Sequence, residues 1–119
     1  MKSKKVFVPS GEYYLGDIGY AVNENHWTEL GDSCNWYETP IGKINGYEVV
    51  AFKVNSGTYY DQHGNTYHCD SGLIGLIPVV NANLCEPMRK IVFKKPTWCC
   101  ELNGVLFFDD CVIKVIKPD

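Results

Sequence analysis

The composition of this chain fits one globular domain and excludes several kinds of partner. It has 119 residues, of which 45% are hydrophobic, and its formal net charge is −3. Because clustered Lys and Arg side chains bind a nucleic-acid backbone, this acidic chain is not expected to bind nucleic acid. No apolar stretch approaches the length of about 18 residues that a membrane span needs, so no membrane association is expected.

The first half of the chain predicts short strands separated by turns, with one helical segment. Valine- and tyrosine-rich runs predict strands over Val6–Val8, Tyr13–Leu15 and Tyr47–Val54. A short helix is predicted over Asn23–Leu30, because Asn is a good N-cap and apolar residues three apart share one face. The segment that follows, Gly31–Pro40, is predicted to be a loop.

The second half of the chain predicts further strands and almost no helix. These strands cover Thr58–Gln62, Thr66–Cys69, Leu73–Val80, Lys90–Phe93, Thr97–Leu102, Val105–Phe108 and Cys111–Ile116. Many short strands joined by tight turns favour an all-β fold, either an antiparallel β-sandwich or a small, partly open β-barrel with one short helix. Residues 1–119 are expected to form a single β domain.

The last three predicted strands are apolar on both faces. Trp98 and Phe107 fall on one side, whereas Leu106 and Phe108 fall on the other. A sheet of this kind is normally buried on both faces. We therefore expect the second face to be covered either by the Asn23–Pro40 segment or by another copy of the chain, which would make the protein a homodimer.

The six cysteines are predicted to be free thiols, most of them small apolar core residues. The start of the chain lacks the long apolar run of a secretory signal, because its first apolar run ends at Pro9. A cytoplasmic location is therefore expected, and a reducing compartment disfavours disulfides. No C-x-x-C pair occurs in the sequence, so a structural zinc site is not expected.

Polar side chains are concentrated in Gly57–Pro78, which reads GTYYDQHGNTYHCDSGLIGLIP. If Gly64-Asn65 or His63-Gly64 forms a two-residue loop, alternate residues of the two flanking strands share a face. The polar face then contains Tyr59, Asp61, Thr66, His68 and Asp70, and the core face contains Tyr60, Gln62, Tyr67 and Cys69. A three-residue loop with a bulge would break this alternation.

Three interpretations of this polar face compete. It is the solvated outer face of an edge hairpin; or Asp61, His68 and Asp70 bind a metal ion; or these residues perform acid–base chemistry, with an aspartate orienting the histidine. Outside the hairpin, Asp17 lies in the glycine-containing turn LGDIG, where it either caps backbone N–H groups or approaches a ligand. No cofactor is expected, because no nucleotide-binding glycine motif is present.

Three stretches of the chain resemble a known family. VPSGEYYLGDIGYAV, GYEVVAF and GTYYDQHGNTYHCDSGLIGLIP are similar to sequences of small uncharacterised proteins from bacteriophage and bacterial genomes. The resemblance covers most of Val8–Pro78, with GD-x-x-Y and YYDQ-x-G…DSGLIGLIP as its motifs, and it brings no catalytic residues. It implies an accessory protein in the cytoplasm of an infected cell, where it would bind a host protein and inhibit, for example, a defence system.

The sequence as a whole favours a binding module over an enzyme. We expect it to bind a host protein or a small-molecule ligand through Asp17, Tyr59, Asp61, His63, His68 and Asp70. The aspartates would accept hydrogen bonds, His68 would donate one or change charge, and Tyr59 would provide flat contact area. One alternative is a small hydrolase or metal-dependent enzyme that uses Asp61, His68 and Asp70. A second is a structural virion component, favoured if the C-terminal sheet forms an oligomer interface.

Overall fold

Runs of β-branched and aromatic residues form eleven strands in the computed structural model, which describes the backbone of residues 4–109 and 111–118 and the side chains of residues 5–109 and 111–114. They are β1 (Lys4–Val8), β2 (Gly11–Asp17), β3 (Ile41–Ile44), β4 (Tyr47–Lys53), β5 (Gly57–Asp61), β6 (Thr66–Cys69), β7 (Leu73–Pro78), β8 (Arg89–Phe93), β9 (Thr97–Leu102), β10 (Val105–Phe108) and β11 (Cys111–Pro118). Every predicted strand is confirmed to within two residues at each end, and β3 is the one strand that was not predicted.

The strands form two antiparallel sheets that face each other. The six-stranded sheet has the order β1-β9-β10-β11-β5-β6, and the five-stranded sheet has the order β3-β4-β7-β2-β8. The chain passes from the first sheet to the second at Pro9 and Ser10. Neither sheet closes on itself, so the predicted all-β fold is confirmed as a β-sandwich and the barrel alternative is not formed.

The main core lies between the two sheets. Phe52 of β4 and Phe108 of β10 meet there edge to face, with ring centroids 5.8 Å apart. Cys69, Cys99 and Cys111 are buried in the same core, and all six thiols of the chain are free. Burial raises the pKa of Cys99 to about 12, which keeps this thiol protonated. The interpretation of most cysteines as apolar core residues is therefore confirmed.

A second apolar cluster covers the outer face of the five-stranded sheet. Helix α1 (Trp27–Ser33) and the 3₁₀ turns Ile18–Tyr20 and Glu24–His26 lie on this face, and Leu30 of α1 is fully buried in the cluster. Gly42 of β3 allows the helix to approach closely, because a Cβ there would lie 2.9 Å from the Leu30 side chain. The alternative that this segment covers the C-terminal strands is therefore wrong.

A helix is confirmed near the predicted segment Asn23–Leu30, but the α-helix begins and ends later in the chain than predicted. Asn23 caps a 3₁₀ turn by accepting a hydrogen bond from the Asn25 N–H at 2.9 Å. The α-helix itself begins at Trp27 and continues to Ser33. In the part of the chain that is described, no helix combines the length and the apolar character needed to span a membrane.

Candidate functional site

The β5–β6 hairpin has a three-residue loop, Gln62-His63-Gly64. The N–H of Asp61 donates to the Asn65 carbonyl at 3.0 Å, and the N–H of Gly64 donates to the Asp61 carbonyl at 3.2 Å. Gly64 closes the loop with a φ of +84°, a left-handed conformation that glycine adopts without strain. The two-residue loops predicted from the sequence are therefore wrong.

The extra loop residue changes which side chains of β5 share a face with those of β6. Tyr59 lies opposite Tyr67, and Asp61 lies on the same inner side, where all three are buried. His68 and Tyr60 point to the outside instead. The predicted common polar face of Asp61 and His68 is wrong, and so is the predicted core position of Tyr60.

Asp61 is held by hydrogen bonds at the inner edge of the sandwich. Its Oδ1 accepts from the backbone N–H groups of His63 and Asn65 at 2.9 and 3.0 Å. Its Oδ2 accepts from the Tyr67 hydroxyl at 2.8 Å and from Arg89 Nη1 at 2.6 Å. With these partners the carboxylate has no lone pair left for a ligand, so Asp61 acts through the groups that it positions.

Arg89 is the only arginine of the chain, and Asp61 fixes one end of it. Nη1 donates to Asp61 Oδ2 and to the Tyr67 hydroxyl, the latter at 2.8 Å, and lies 3.6 Å from Cys111 Sγ. The hydrogen bond with Tyr67 and the charge of Asp61 raise the pKa of Arg89. Burial raises the pKa of Tyr67 above its ordinary value, so its hydroxyl remains a donor to Asp61.

The other edge of the Arg89 guanidinium is open. Within the described residues, Nε and Nη2 make no hydrogen bond. If they were buried, they would count among the buried side-chain atoms that lack a partner, but those atoms are His26 Nδ1 and Asn81 Oδ1. Since the Arg89 side chain is also 34% exposed, Nε and Nη2 face solvent. This edge has three N–H donors in a plane, the geometry that binds a carboxylate or phosphate bidentately.

Arg89 lines a cleft of about 740 Å³, which is called here the Arg89 cleft. Its walls come from the end of β2, from β6 with its loop, and from residues 86–89. Its polar lining consists mainly of Asp17, Tyr20, Thr66, His68, Glu86 and Arg89. Leu15, Pro87 and Met88 supply apolar surface, so the cleft combines a few fixed polar groups with apolar walls, as small-molecule sites commonly do.

A surface cluster positions two of the rim groups. Asp70 accepts a hydrogen bond from the Tyr20 hydroxyl at 2.7 Å, and its other oxygen lies 3.0 Å from His68 Nε2. The hydrogen bond with Asp70 raises the pKa of Tyr20 to about 12, so the phenol is protonated at neutral pH. His68 and Asp70 are more than half exposed, which leaves this pair in contact with water.

Asp17 is buried beside the cleft and caps a turn. Its Oδ1 accepts from the Gly19 N–H at 2.8 Å and from the Ser71 hydroxyl. Its Oδ2 accepts from the N–H groups of Asp70 and Ser71 at 2.8 and 3.1 Å. The capping interpretation of Asp17 is therefore confirmed, and the carboxylate fixes the turn that presents Asp70.

The structure brings together some of the predicted site residues and separates others. Asp17 and His68 line the Arg89 cleft, Asp70 supports its rim, and Asp61 lies beneath it. Tyr59 lies elsewhere, in a second cleft of about 640 Å³, with its hydroxyl donating to the Asn55 carbonyl at 2.7 Å. His63, the remaining predicted site residue, is exposed in the hairpin loop. Among the described residues, no group of three His, Cys, Asp or Glu side chains is placed to hold a metal ion.

The sequence pattern did not reveal Arg89, the cation that lines the cleft. It stands beside Lys90 in the sequence and looks like part of a solvated basic pair. One signal was present, because a single arginine among ten lysines indicates a position where lysine would not serve. Tyr20 and Tyr67 were also missed as polar contacts, since nothing in their local sequence separates a hydrogen-bonded tyrosine from a packed one.

Comparison of the chain with family models, curated proteins and solved structures found no match. The resemblance to phage and bacterial proteins therefore stays a prediction. The functional assignment depends on the geometry of the Arg89 cleft.

Proposed function

We propose that this chain is a non-catalytic binding module that takes a small polar ligand into the Arg89 cleft. The observation that supports it most strongly is the open guanidinium edge of Arg89. This edge is rigid, because Asp61 and Tyr67 hold Nη1 from behind. A guanidinium fixed in this way loses little side-chain freedom when a ligand binds, which favours affinity for a carboxylate or phosphate.

The charges around the cleft restrict the ligand further. Asp61 already balances the charge of Arg89, so affinity would come from directed hydrogen bonds rather than from net charge. Glu86 at the rim and Asp70 behind it would repel a ligand that is anionic throughout. The ligand class that fits is a small molecule with a carboxylate or phosphate at one end and hydroxyl or ammonium donors at the other.

The contacts favour binding over the hydrolase alternative. A hydrolase built on Asp61, His68 and Asp70 needs an aspartate near the histidine in a cleft that excludes water. Asp61 is committed to Arg89 and Tyr67, and the pair of His68 and Asp70 is exposed. The phage-type accessory role and the inhibition of a host defence system, which the sequence resemblance implies, stay predictions.

Isothermal titration with three compounds tests the proposal. Glucuronate has an oxyanion and hydroxyls, glutamate has oxyanions and an ammonium group, and glucose has no oxyanion. We expect at least one of the two acids to bind saturably and glucose to bind at least about tenfold more weakly. Absence of binding for both acids, or equal binding of glucose, would overturn the proposed recognition by Arg89.

Two neighbouring variants locate the site. Arg89→Lys keeps a cation beside Asp61 but removes the bidentate edge, and it is expected to weaken binding of the acid at least about tenfold. Lys90→Ala is the matched control, because Lys90 is exposed and paired with Glu12. Equal losses in the two variants would place the recognition outside the Arg89 cleft.

A further inference from the structure

Tyr20 lines the Arg89 cleft and is held at both ends. Its backbone carbonyl accepts a hydrogen bond from the Cys85 N–H at 2.8 Å, and its hydroxyl donates to Asp70 Oδ2 at 2.7 Å. Asp70 is fixed in turn, because its N–H donates to Asp17 Oδ2 at 2.8 Å. The Tyr20 hydroxyl has one proton and gives it to Asp70, so toward a ligand its oxygen can only accept.

The same aspartate binds a second side chain of the cleft. His68 lines the cleft, and its Nε2 lies 3.0 Å from Asp70 Oδ1. In the neutral imidazole this hydrogen bond places the proton on Nε2, which leaves Nδ1 as an acceptor. Asp70 therefore takes the donor of both Tyr20 and His68, and this part of the cleft favours a ligand group that donates hydrogen bonds.

Glu86 adds a negative charge beside Tyr20. The residue before it donates its N–H to the Tyr20 carbonyl, and the charge of Glu86 adds to the hydrogen bond with Asp70 in raising the pKa of Tyr20. Within the described part of the chain, Glu86 forms no ion pair, whereas Arg89 is balanced by Asp61. A positive charge on the ligand would balance Glu86.

We propose that Tyr20 and Glu86 form an ammonium-binding end of the Arg89 cleft, so that the ligand is a small amino acid whose carboxylate binds Arg89. This inference rests on the proposed function and narrows its ligand class. An ammonium group offers three donors and a charge, whereas a hydroxyl offers one donor and no charge, so the ammonium group is preferred beside a carboxylate. Pro87 and Met88 supply apolar surface for the methylene groups between the two charges.

Isothermal titration with matched acids tests the inference. The probes are γ-aminobutyrate, δ-aminovalerate and ε-aminocaproate, which carry the two charges at increasing separation. The control for each is the fatty acid with a methyl group in place of the ammonium group: valerate, caproate and enanthate. At least one amino acid should bind at least about tenfold more tightly than its control.

The outcomes separate this inference from the proposed function. Equal affinities within every pair would overturn the ammonium-binding end. The proposed function would still hold in that case if Arg89→Lys weakens binding of the acids. If none of these acids binds, and neither glucuronate nor glutamate does, both are overturned.

Glu86→Gln locates the charge that selects the ammonium group. The variant keeps the size of the side chain, and it should lower the preference for the amino acid over its control about fivefold. A purely structural defect would weaken both ligands alike and leave this ratio unchanged. Glu24→Gln is the matched control, because Glu24 is exposed on a 3₁₀ turn that does not line the cleft. An unchanged ratio in Glu86→Gln, or an equal fall in both variants, would overturn the inference.

Two further variants test the accepting oxygen of Tyr20. Tyr20→Phe removes this acceptor and should lower the same ratio. Asp70→Asn should also lower it, because an amide can donate to the Tyr20 oxygen and take the place of the ligand donor. A ratio that stays at the wild-type value in both variants would contradict the part assigned to Tyr20.

Discussion

At the scale of single residues, Asp61 is a buried carboxylate that stays ionised because donors surround it. Burial alone would raise the pKa of Asp61, but hydrogen bonds from Tyr67, Asn65 and His63 lower it from 3.8 to about 2. In the unfolded chain, the Asp61 carboxylate binds its proton at its ordinary pKa of 3.8. The ionised group therefore stabilises the fold fully above about pH 4, and this stabilisation is lost as the pH falls toward about 2.

Asp61→Asn is expected to lower the free energy of unfolding at neutral pH by about 2–3 kcal/mol, because Arg89 and Tyr67 lose their anionic partner. The loss is at the lower end for a buried ion pair, since the Arg89 side chain is 34% exposed. Urea unfolding of both proteins at about pH 6 and about pH 2.5 measures it, and the difference should shrink at the lower pH. An equal difference at both pH values would contradict an ionised Asp61.

Loss of the Asp17 carboxylate is expected to lower the free energy of unfolding more than loss of the exposed Asp70 carboxylate in the same network. Asp17→Ala leaves the N–H groups of Gly19, Asp70 and Ser71 without their acceptor, and it should cost about 2–4 kcal/mol of unfolding free energy. Asp70→Ala removes only exposed contacts and should cost less than about 1 kcal/mol. Thermal or urea unfolding compares the two, and similar costs would argue against the capping role of Asp17.

At the scale of elements, the β5–β6 hairpin decides which polar groups reach the cleft. Two- and three-residue loops both suit the sequence QHGN, but the two loop lengths turn different sets of alternate β5 residues toward the core. The adjacent residues Tyr59 and Tyr60 are of the same type, so hydrophobic alternation could not decide between the two loops. The side of β6 that faces the core was predicted correctly, because Tyr67 and Cys69 are more apolar than His68.

Gly64 is expected to fix this loop length. Gly64→Ala should cost about 1 kcal/mol of unfolding free energy, because φ is +84° there and no atom lies near enough to add a clash. Gly64→Asn should cost less, since Asn tolerates the left-handed conformation better. Chemical denaturation of the two variants makes the comparison, and a neutral Gly64→Ala would mean that the loop does not need a left-handed residue.

The strand that was not predicted, β3, illustrates a local signal that was overlooked. Ile41–Ile44 is short and contains Gly42 and Lys43, so its β propensity is weak. The turn after it, Asn45-Gly46, has φ values of 52° and 82°, as a type I′ hairpin turn requires. An Asn-Gly pair directly before the strong strand β4 was the available evidence for a preceding partner strand.

The turn after α1 combines strained backbone with close packing. Asn35, Trp36 and Tyr37 all have positive φ, which costs on the order of 1–2 kcal/mol at each non-glycine residue. The Trp36 N–H donates to the Gly31 carbonyl at 2.7 Å. A Cβ at Gly31 would lie only 2.4 Å from the Trp36 ring, so the ring rests directly on the helix backbone.

Gly31→Ala is therefore expected to displace the Trp36 ring and to cost about 1–3 kcal/mol. In a Trp36→Ala background the same change should be neutral or slightly stabilising, because alanine favours the helix over glycine. A double-mutant cycle of unfolding free energies measures this coupling. Additive effects would contradict the close contact between the ring and the helix.

At the scale of the whole molecule, the class of fold was predictable and the composition of the cleft was not. Strand positions follow from local patterns of β-branched and aromatic residues, and eleven short strands leave few architectures. Sheet order depends on pairings between distant segments, which local patterns do not encode. The pairing of Asp61 with Arg89 joins residues 28 positions apart on different sheets, so the Arg89 cleft appears only once both sheets are assembled.

The resonance of the Arg89 Nε–H in a ¹H–¹⁵N spectrum tests the proposed recognition most directly. Because the chain has one arginine, this side-chain signal identifies itself without further assignment. Titration with glucuronate or glutamate is predicted to shift it saturably, and glucose is predicted to leave it unchanged. A signal that stays in place while an acid binds elsewhere, or that moves equally with glucose, would contradict recognition of an oxyanion by Arg89.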